Sequence, residues 1–222
     1  MFASIAPRYD ATNQLLSLGV HRLWRRAAVR LSEVRPGDRV LDCATGTGDL
    51  ALAFQRAVGP AGLVVGTDFC GPMLAPAPAK AAAAGLPVRF GQADALALPF
   101  RRASFDVCSI AFGIRNVDDP VACLREMARV VKPGGRVVVL EFGQPTGPFG
   151  ALFRLYSTAV MPLVGGLVTG NRDAYRYLPR TAATFPAGER FLALARGSGA
   201  FVDVRATPLT FGTAYVYVGW VG

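Results

Sequence analysis

The sequence is poor in the side chains that bind transition metals. It contains one histidine, His21, and four cysteines that are scattered along the chain without a C-x-x-C pair. Structural metal sites need closely spaced Cys and His ligands, and disulfide frameworks occur in small secreted chains rich in cysteine. We therefore expect neither a metal centre nor a disulfide framework.

Lysines and long apolar runs are also scarce. Lys80 and Lys132 are the only lysines, so the Tyr-x-x-x-Lys pair of many NAD-dependent reductases is absent. The longest apolar stretch, residues 158–168, is interrupted by proline and two glycines and is shorter than the roughly 20 residues that span a bilayer. The first residues lack a charged region followed by an apolar one, so we expect no secretory signal and a cytoplasmic location.

What the chain has instead is apolar bulk and positive charge. Its 222 residues are 52% hydrophobic, which predicts one domain, 1–222, with a sizeable core. The net charge of +9 favours an anionic partner. No basic motif interleaved with aromatics points to nucleic acid, so we expect peripheral contact with an anionic membrane surface. Arg22, Arg26 and Arg30 form a basic stripe on a predicted helix, which also fits an ordinary solvated face.

Apolar strand-like runs alternate with helical patterns along most of the chain, as in an α/β protein with a mostly parallel sheet. Pro148 onwards breaks this rhythm, and the last two strands are close enough in sequence to pair antiparallel. An N-terminal helical arm, 1–35, and an inserted helical segment, 145–186, flank the core. The predicted strands are 39–43, 63–67, 88–92, 105–112, 136–142, 201–206 and 211–219. The predicted helices are 19–31, 48–58, 71–85, 120–131, 148–170, 173–178 and 187–196.

A glycine turn follows the first predicted strand and points to a nucleoside-binding βαβ unit. The strand ends in Asp42, Gly46 and Gly48 form the turn, and the next strand ends in Asp68. The turn also fits the permissive G-x-G-x-x-A form of the dinucleotide fingerprint. Asp42 and Asp49 would repel a pyrophosphate there but would complement the cationic S-adenosylmethionine, so we expect S-adenosylmethionine, with NAD as the alternative. Asp68 suits the ribose hydroxyls, and Asp49 also fits a plain helix N-cap.

Motifs well beyond this turn resemble one family. They are residues 2–10 with 16–25, Phe112–Val117, Lys132–Arg136 with Leu140–Phe142, and Tyr175–Leu178. Together they resemble the ubiquinone/menaquinone biosynthesis C-methyltransferase family, within the class I S-adenosylmethionine-dependent methyltransferases. The lysine-proline-glycine-glycine turn is shared by many class I enzymes, whereas Phe112–Val117 and the N-terminal motif are specific.

The resemblance implies a Rossmann-like, seven-stranded sheet of order 3-2-1-4-5-7-6 with the last strand antiparallel. It implies methyl transfer to a ring carbon of a prenylated quinol, with demethylmenaquinol as our first expectation. The cofactor-binding positions that it implies are Thr47, Asp68, Asp94, Ala95 and Ala111, and our predicted set also includes Asp42, Gly46, Gly48 and Phe69. Two departures stand out, because the family often has serine where this chain has Ala111 and tends to have histidine where it has Tyr217.

Methyl transfer to carbon needs an electron-rich ring, which a quinol becomes when a hydroxyl next to the attacked carbon loses its proton. We predict that Arg115, after the fourth strand, stabilises the phenolate, although it could simply pair with Asp118 or Asp119. Asp94 would hold the adenine amine or pair with Arg115, and Tyr9 would close over the acceptor. A lone histidine such as His21 is more often structural.

Several structural and functional alternatives remain open. The apolar segment 152–168 fits either core packing or a lid over an isoprenoid tail, and Tyr175 and Tyr177 fit packing equally well. Methylation of another small lipophilic acceptor, on oxygen or carbon, and a non-catalytic scaffold in quinone biosynthesis are the alternative functions. The lack of a transit-type leader favours a naphthoquinol over a benzoquinol. A homodimer is also open.

Overall fold

The computed structural model describes residues 14, 17, 19–160 and 180–222. Predictions on Tyr9, Tyr175, Tyr177, the helix over 173–178 and the latter part of the helix over 148–170 fall outside these residues. The strands are β1 Arg39–Cys43, β2 Leu63–Asp68, β3 Arg89–Gln92, β4 Phe105–Ala111, β5 Val131–Phe142, β6 Asp203–Leu209 and β7 Ala214–Trp220. The α-helices are α1 Val20–Leu31, α2 Asp49–Val58, α3 Gly71–Leu74, α4 Ala77–Ala83, α5 Pro120–Val130, α6 Gly147–Leu155 and α7 Glu189–Gly197. A π-helical turn, Tyr156–Val160, follows α6.

The seven strands form one sheet in the order β3-β2-β1-β4-β5-β7-β6, which confirms the predicted α/β fold. The neighbours from β3 to β5 pair in parallel, and β7 runs antiparallel to both β5 and β6. Within the described part of the chain, no helix is both long and apolar enough to cross a bilayer.

Two apolar layers hold the sheet between its helices. One layer packs α5 and α7 against the sheet, and the other packs α1 and α2 against the opposite face. β4 shows why central strands can be predicted from sequence. Val107 packs into one apolar layer and Cys108 and Ile110 pack into the other, and all three are completely buried. A strand covered on both sides is rich in apolar residues, as β1, β4 and β5 are, although Asp42 interrupts the apolar run of β1 and Asp106 and Ser109 interrupt that of β4.

Some predicted bounds are wrong for identifiable reasons. The helix over 71–85 is divided into α3 and α4, because Pro76 cannot continue a helix from its preceding turn and instead lies at the N-terminus of α4. Thr207 and Pro208 lie inside β6 rather than between strands. Lys132–Gly135 lies within β5, where the pairing with β4 shifts register between Phe105 and Val107.

Helix α1 carries the basic stripe on its outer face. Gly19 begins the helix in a left-handed conformation, and Trp24 is buried against the sheet. Arg22, Arg26 and Arg30 are exposed, as the spacing predicts. His21 is buried and forms a hydrogen bond through Nδ1 with the hydroxyl of Ser17, which fits the structural interpretation.

The carboxyl ends of the parallel strands meet at one edge of the sheet. Loops that follow β1, β2, β3 and β4 therefore converge there, as they do in other open α/β sheets that bind ligands at this edge. Because β7 is antiparallel, its first residue, Ala214, pairs with Phe142 at the end of β5. The Thr210–Gly212 turn before β7 consequently lies at the same edge.

Candidate active site

The turn between β1 and α2 has the left-handed backbone that its glycines predict. Gly46 has a φ of 54° and Gly48 a φ of 85°. A Cβ on Gly48 would also lie 3.0 Å from the Phe90 ring, so a larger residue is excluded by both conformation and space. The amide of Gly46 donates a 2.8 Å hydrogen bond to Oδ2 of Asp68. The turn and the end of β2 are thereby held together.

Asp68 is positioned by backbone donors on both of its oxygens. Oδ2 accepts from Gly46, and Oδ1 accepts from the amide of Cys70 at 2.8 Å. Burial raises the pKa of Asp68, and these two amides partly offset that rise. An ionised carboxylate can accept about four hydrogen bonds, so each oxygen keeps capacity for a ligand hydroxyl.

A pocket of about 330 Å³ opens where these loops converge. Its volume lies within the range of small-molecule sites. Six of the predicted cofactor positions line it: Gly46, Asp68, Phe69, Asp94, Ala95 and Ala111. The other lining residues, which the sequence analysis did not single out for this site, are Ala44, Cys70, Met73, Ala93, Leu96, Phe112, Gly113, Asn116, Val117 and Asp118.

Most of these additional residues directly follow a strand that ends at the carboxyl edge. The position of a residue after the end of a predicted strand could therefore have identified it as a pocket residue. On that basis alone, residues 112–118 after β4 could have been predicted to line the pocket. Asp94 accepts a 2.9 Å hydrogen bond from the amide of Leu96, which fixes the loop after β3. Asp94 lines the pocket together with Asn116 and Asp118 from the loop after β4.

Three predicted cofactor positions lie in β1 and in the turn that follows it. Asp42 is 1% exposed, and its carboxylate accepts hydrogen bonds of 2.6 Å from the hydroxyls of both Ser109 and Thr45. Thr47 is buried and accepts a 3.2 Å hydrogen bond from Lys80. Gly48 contributes the backbone shape of the turn. Their contribution to cofactor binding remains a prediction, and the pocket lining does not include them.

Asp49 differs from its predicted setting. Gly48 occupies the N-cap of α2, and Asp49 is the first helical residue, so the N-cap interpretation is wrong. Its carboxylate forms ion pairs with Arg25 at 2.7 Å and with Lys80 at 2.6 Å. Although burial raises the pKa of Asp49, these two cations outweigh it and lower the pKa overall. Because its charge is already compensated, Asp49 adds little to the argument for a cationic ligand.

Arg115 occupies a buried ion pair that the sequence did not predict. Its Nη1 lies 2.7 Å from Oε1 of Glu141, and the two side chains are 4% and 1% exposed. The predicted alternatives, pairing with Asp94, Asp118 or Asp119, are not observed. Asp119 instead caps α5 through the amides of Val121 and Ala122. Arg115 lies next to the pocket-lining residues of its loop and is not itself part of the lining.

Tyr217, which the resemblance places where the family tends to have histidine, is a buried residue. Its hydroxyl accepts a 2.7 Å hydrogen bond from the amide of Gly188, and its ring packs 4.2 Å from that of Phe191. Burial raises the pKa of its hydroxyl well above the usual value. It therefore joins β7 to the start of α7 and is a poor proton donor or acceptor near neutral pH.

Sequence comparison places this fold and pocket among known proteins. The model of the ubiE/COQ5 methyltransferase family matches residues 1–221. The "Ubiquinone/menaquinone biosynthesis C-methyltransferase UbiE" of Bdellovibrio bacteriovorus is 54% identical over 222 residues, which are 100% of this chain and 94% of that protein. The "Demethylmenaquinone methyltransferase" of Thermus thermophilus is 52% identical over 220 residues, which are 99% of each chain.

Solved structures agree on the fold. A SAM-dependent methyltransferase from Thermotoga maritima has a TM-score of 0.68 at 19% identity, covering 99% of this chain and 97% of that one. A SAM-dependent methyltransferase from Aquifex aeolicus has a TM-score of 0.58 at 18% identity, covering 89% of each. The fold, the pocket and the match along nearly the whole sequence lead to one conclusion: the chain belongs to the ubiE/COQ5 methyltransferase family.

Proposed function

We propose that this enzyme uses S-adenosylmethionine to methylate a ring carbon of a prenylated quinol, with demethylmenaquinol as the acceptor. The observation that carries the proposal is identity of about half along the full length to relatives named for this reaction in Thermus thermophilus and Deinococcus radiodurans. A third relative, from Bdellovibrio bacteriovorus, is named for both ubiquinone and menaquinone biosynthesis. The naphthoquinol is favoured, and the benzoquinol is the alternative to test.

The residues of the pocket fit S-adenosylmethionine. Asp68 offers acceptor oxygens of suitable chemistry for a ribose diol, and Asp94 with Ala95 offers a polar and apolar pair for an adenine edge. Phe69 is 71% exposed beside the pocket, which leaves its ring free to cover a base. The left-handed turn at Gly46 lets the backbone approach a ligand closely. When bound, the cofactor supplies an electrophilic methyl group on a positively charged sulfur.

The protein's task at the acceptor is to orient the ring and favour its deprotonated form. Correct placement of two reactants can supply much of an enzyme's acceleration. Tyr9 stays a prediction for covering the acceptor, and it lies outside the described residues. The predicted electrostatic role of Arg115 is better supported as an indirect one, since its charge is already paired with that of Glu141.

Acceptor choice is tested by comparing initial rates on reduced demethylmenaquinone and on a demethyl benzoquinol with the same tail. We expect a kcat/KM at least about tenfold higher for the naphthoquinol. A higher value for the benzoquinol would reassign the acceptor. Turnover of neither, with S-adenosylmethionine bound, would favour another lipophilic acceptor or a scaffold.

We further infer that the enzyme meets its acceptor at an anionic membrane surface. An apolar surface, formed by Phe149, Leu152, Leu155 and Phe211, lies at the carboxyl edge of the sheet. These side chains are between 37% and 82% exposed, and the rings of Phe149 and Phe211 are 5.1 Å apart. Exposed apolar clusters of this kind typically mark interaction sites.

Helix α1, which carries the basic stripe, contacts the turn that bears Phe211. Trp24, on α1, donates a 2.8 Å hydrogen bond from its ring nitrogen to the hydroxyl of Thr210, next to Phe211. Arg22 and Arg26 are exposed on the same helix. Each cation near an anionic headgroup adds on the order of 1 kcal/mol, and apolar side chains add to that by insertion. The combination suits a lipid interface better than either feature alone.

Vesicle flotation tests this surface. We expect the wild-type chain to float with vesicles of phosphatidylglycerol and phosphatidylcholine, and Phe211→Ser to reduce the bound fraction severalfold. Val202→Ser is the matched control, because Val202 is 74% exposed but precedes β6 at the opposite edge of the sheet. An equal loss of the vesicle-bound fraction in both variants, or no binding by the wild type, would contradict the proposal that this apolar surface binds the membrane.

A further inference from the structure

Glu141 is a buried acid at the end of β5 whose only charged hydrogen-bonding partner in the described residues is Arg115. Its Oε1 accepts from Nη1 of Arg115 at 2.7 Å and from its neighbour's amide, that of Phe142, at 2.8 Å. Burial raises the pKa of Glu141, and the charge of Arg115 opposes that rise. Such a pair is expensive to desolvate, and fold stability alone is a weak reason for it.

The same guanidinium also holds the loop that forms one wall of the cofactor pocket. Nη1 of Arg115 donates a 2.7 Å hydrogen bond to the carbonyl of Phe112, and the guanidinium lies 5.2 Å from the centre of the Phe142 ring. Phe112 has a φ of 54°, a left-handed conformation that is strained for a bulky residue. Arg115 gives this carbonyl its shorter hydrogen bond, since the side-chain amide of Asn116 donates to it at 3.4 Å, and the contact with Arg115 therefore helps to hold the strained turn.

The turn at Phe112 forms part of the pocket wall. Phe112 and Gly113 both line it, and a Cβ on Gly113 would lie 2.6 Å from Cβ of Ala44 in the turn after β1. The loops after β1 and β4 are consequently in close contact, and a shift of one displaces the other. The position of the Phe112 carbonyl thus affects two walls of the pocket.

We propose that Glu141 is a positioning residue for methyl transfer, which acts through Arg115 to hold the Phe112 turn in the shape that binds the cofactor. The inference rests on the proposed function only in taking this pocket as the S-adenosylmethionine site. Glu141 is not among the residues that line the pocket. Its effect is on the affinity of the pocket rather than on the reacting atoms.

Glu141→Gln tests the proposal, because glutamine keeps the size and one acceptor oxygen but removes the charge. Arg115 then becomes a buried cation without a counter-charge, and the cost of that burial favours movement of the guanidinium toward solvent and away from the Phe112 carbonyl. We expect the dissociation constant for S-adenosylmethionine, measured by calorimetry, to rise about 10- to 100-fold, as for loss of a charged hydrogen bond. At saturating cofactor, kcat should change by less than about threefold.

A double variant separates positioning from fold stability. Arg115→Met with Glu141→Leu replaces the ion pair by apolar side chains of similar length, which often restores stability. We expect its melting temperature to approach that of the wild type while its cofactor affinity stays low, because the Phe112 carbonyl loses the 2.7 Å hydrogen bond from Arg115 and keeps only the 3.4 Å one from Asn116. If Glu141→Gln fails to fold, the cofactor affinity of this double variant still tests whether the ion pair positions the Phe112 turn. Glu141→Asp, which keeps the charge, should recover part of the affinity.

Asp106→Asn is the control, since it breaks the 2.6 Å ion pair with Lys132 at the opposite edge of the sheet and should change the affinity less than twofold. Full affinity in Glu141→Gln or in the double variant would overturn the proposal. So would a fall in kcat with unchanged affinity, which would indicate a direct role for Arg115. If the wild type failed to bind S-adenosylmethionine, the proposed function itself would fail.

Discussion

At the scale of single residues, the site depends on carboxylates that combine a partner close in sequence with one from a distant part of the chain. Asp42 illustrates this: its carboxylate is buried between hydroxyls of Thr45 and Ser109, and burial, partly offset by those two hydrogen bonds, raises its pKa to about 6. The folded state therefore binds a proton at Asp42 more tightly than the unfolded chain does. Near neutral pH, the ionised carboxylate of Asp42 lowers the free energy of unfolding. As the pH falls from about 6 toward the ordinary pKa of an aspartate, Asp42 becomes protonated in the folded state and the free energy of unfolding rises.

Replacement of Asp42 by asparagine should remove this pH dependence. Between pH 6.5 and 4.5, we expect the wild type to gain roughly 1 to 2 kcal/mol of unfolding free energy relative to Asp42→Asn. Urea unfolding of both proteins at the two pH values measures the difference, and other titrating groups cancel in the comparison. A constant difference would mean that Asp42 has an ordinary pKa in the folded state.

The pairings at this scale were largely beyond sequence analysis. Asp42, Gly46 and Asp68 could be nominated because they follow strands, and strand ends are readable from apolar runs. The ion pair of Arg115 with Glu141 joins residues that are 26 positions apart. Nothing local in the sequence favours Glu141 over Asp118 or Asp119 as the partner, since the choice depends on the register of β4 against β5.

At the scale of elements, strands buried on both faces were predictable and edge strands were less so. β6 lies at the edge of the sheet, where a proline is tolerated because one side of the strand has no neighbour to receive a hydrogen bond. Pro208 therefore sits within β6, whereas the sequence suggested a break there. β1 and β4 offered no such ambiguity, because both are rich in apolar residues and contain no proline.

The contact between the loops after β1 and β4 makes a sharp prediction. Gly113 has an ordinary negative φ, so Gly113→Ala adds only a methyl group, which would lie 2.6 Å from Cβ of Ala44. We expect a loss of about 1 to 3 kcal/mol in unfolding free energy, the usual cost of overpacking, together with weaker cofactor binding. Thermal and chemical unfolding of the variant, with calorimetric titration of S-adenosylmethionine, provide the measurements.

Gly91→Ala is the matched control for that experiment. Gly91 lies in β3, and a Cβ there meets nothing within 4 Å. Its stability and cofactor affinity should remain close to those of the wild type. Equal effects of the two substitutions would show that general loss of glycine, rather than crowding between the loops, is responsible.

At the scale of the whole molecule, the pocket and the apolar surface share one edge of the sheet, and the net charge of +9 adds an electrostatic component to membrane contact. Salt shortens the range of such attraction to about 10 Å at 0.1 M and about 3 Å at 1 M. Binding to anionic vesicles should therefore weaken progressively over that range. The binding that persists at 1 M salt should depend on the apolar side chain of Phe211. Sedimentation of vesicles with bound protein at increasing salt tests this, and salt-independent binding would contradict it.

The central claim, transfer of a methyl group to a ring carbon of a quinol, is tested most directly by locating the transferred group. The wild-type enzyme is incubated with S-adenosylmethionine carrying a ¹³C-labelled methyl group and reduced demethylmenaquinone, and the product is examined by ¹³C NMR. We predict a single labelled methyl group bonded to the quinone ring. Label on an oxygen, or no labelled product although the cofactor binds, would contradict the account.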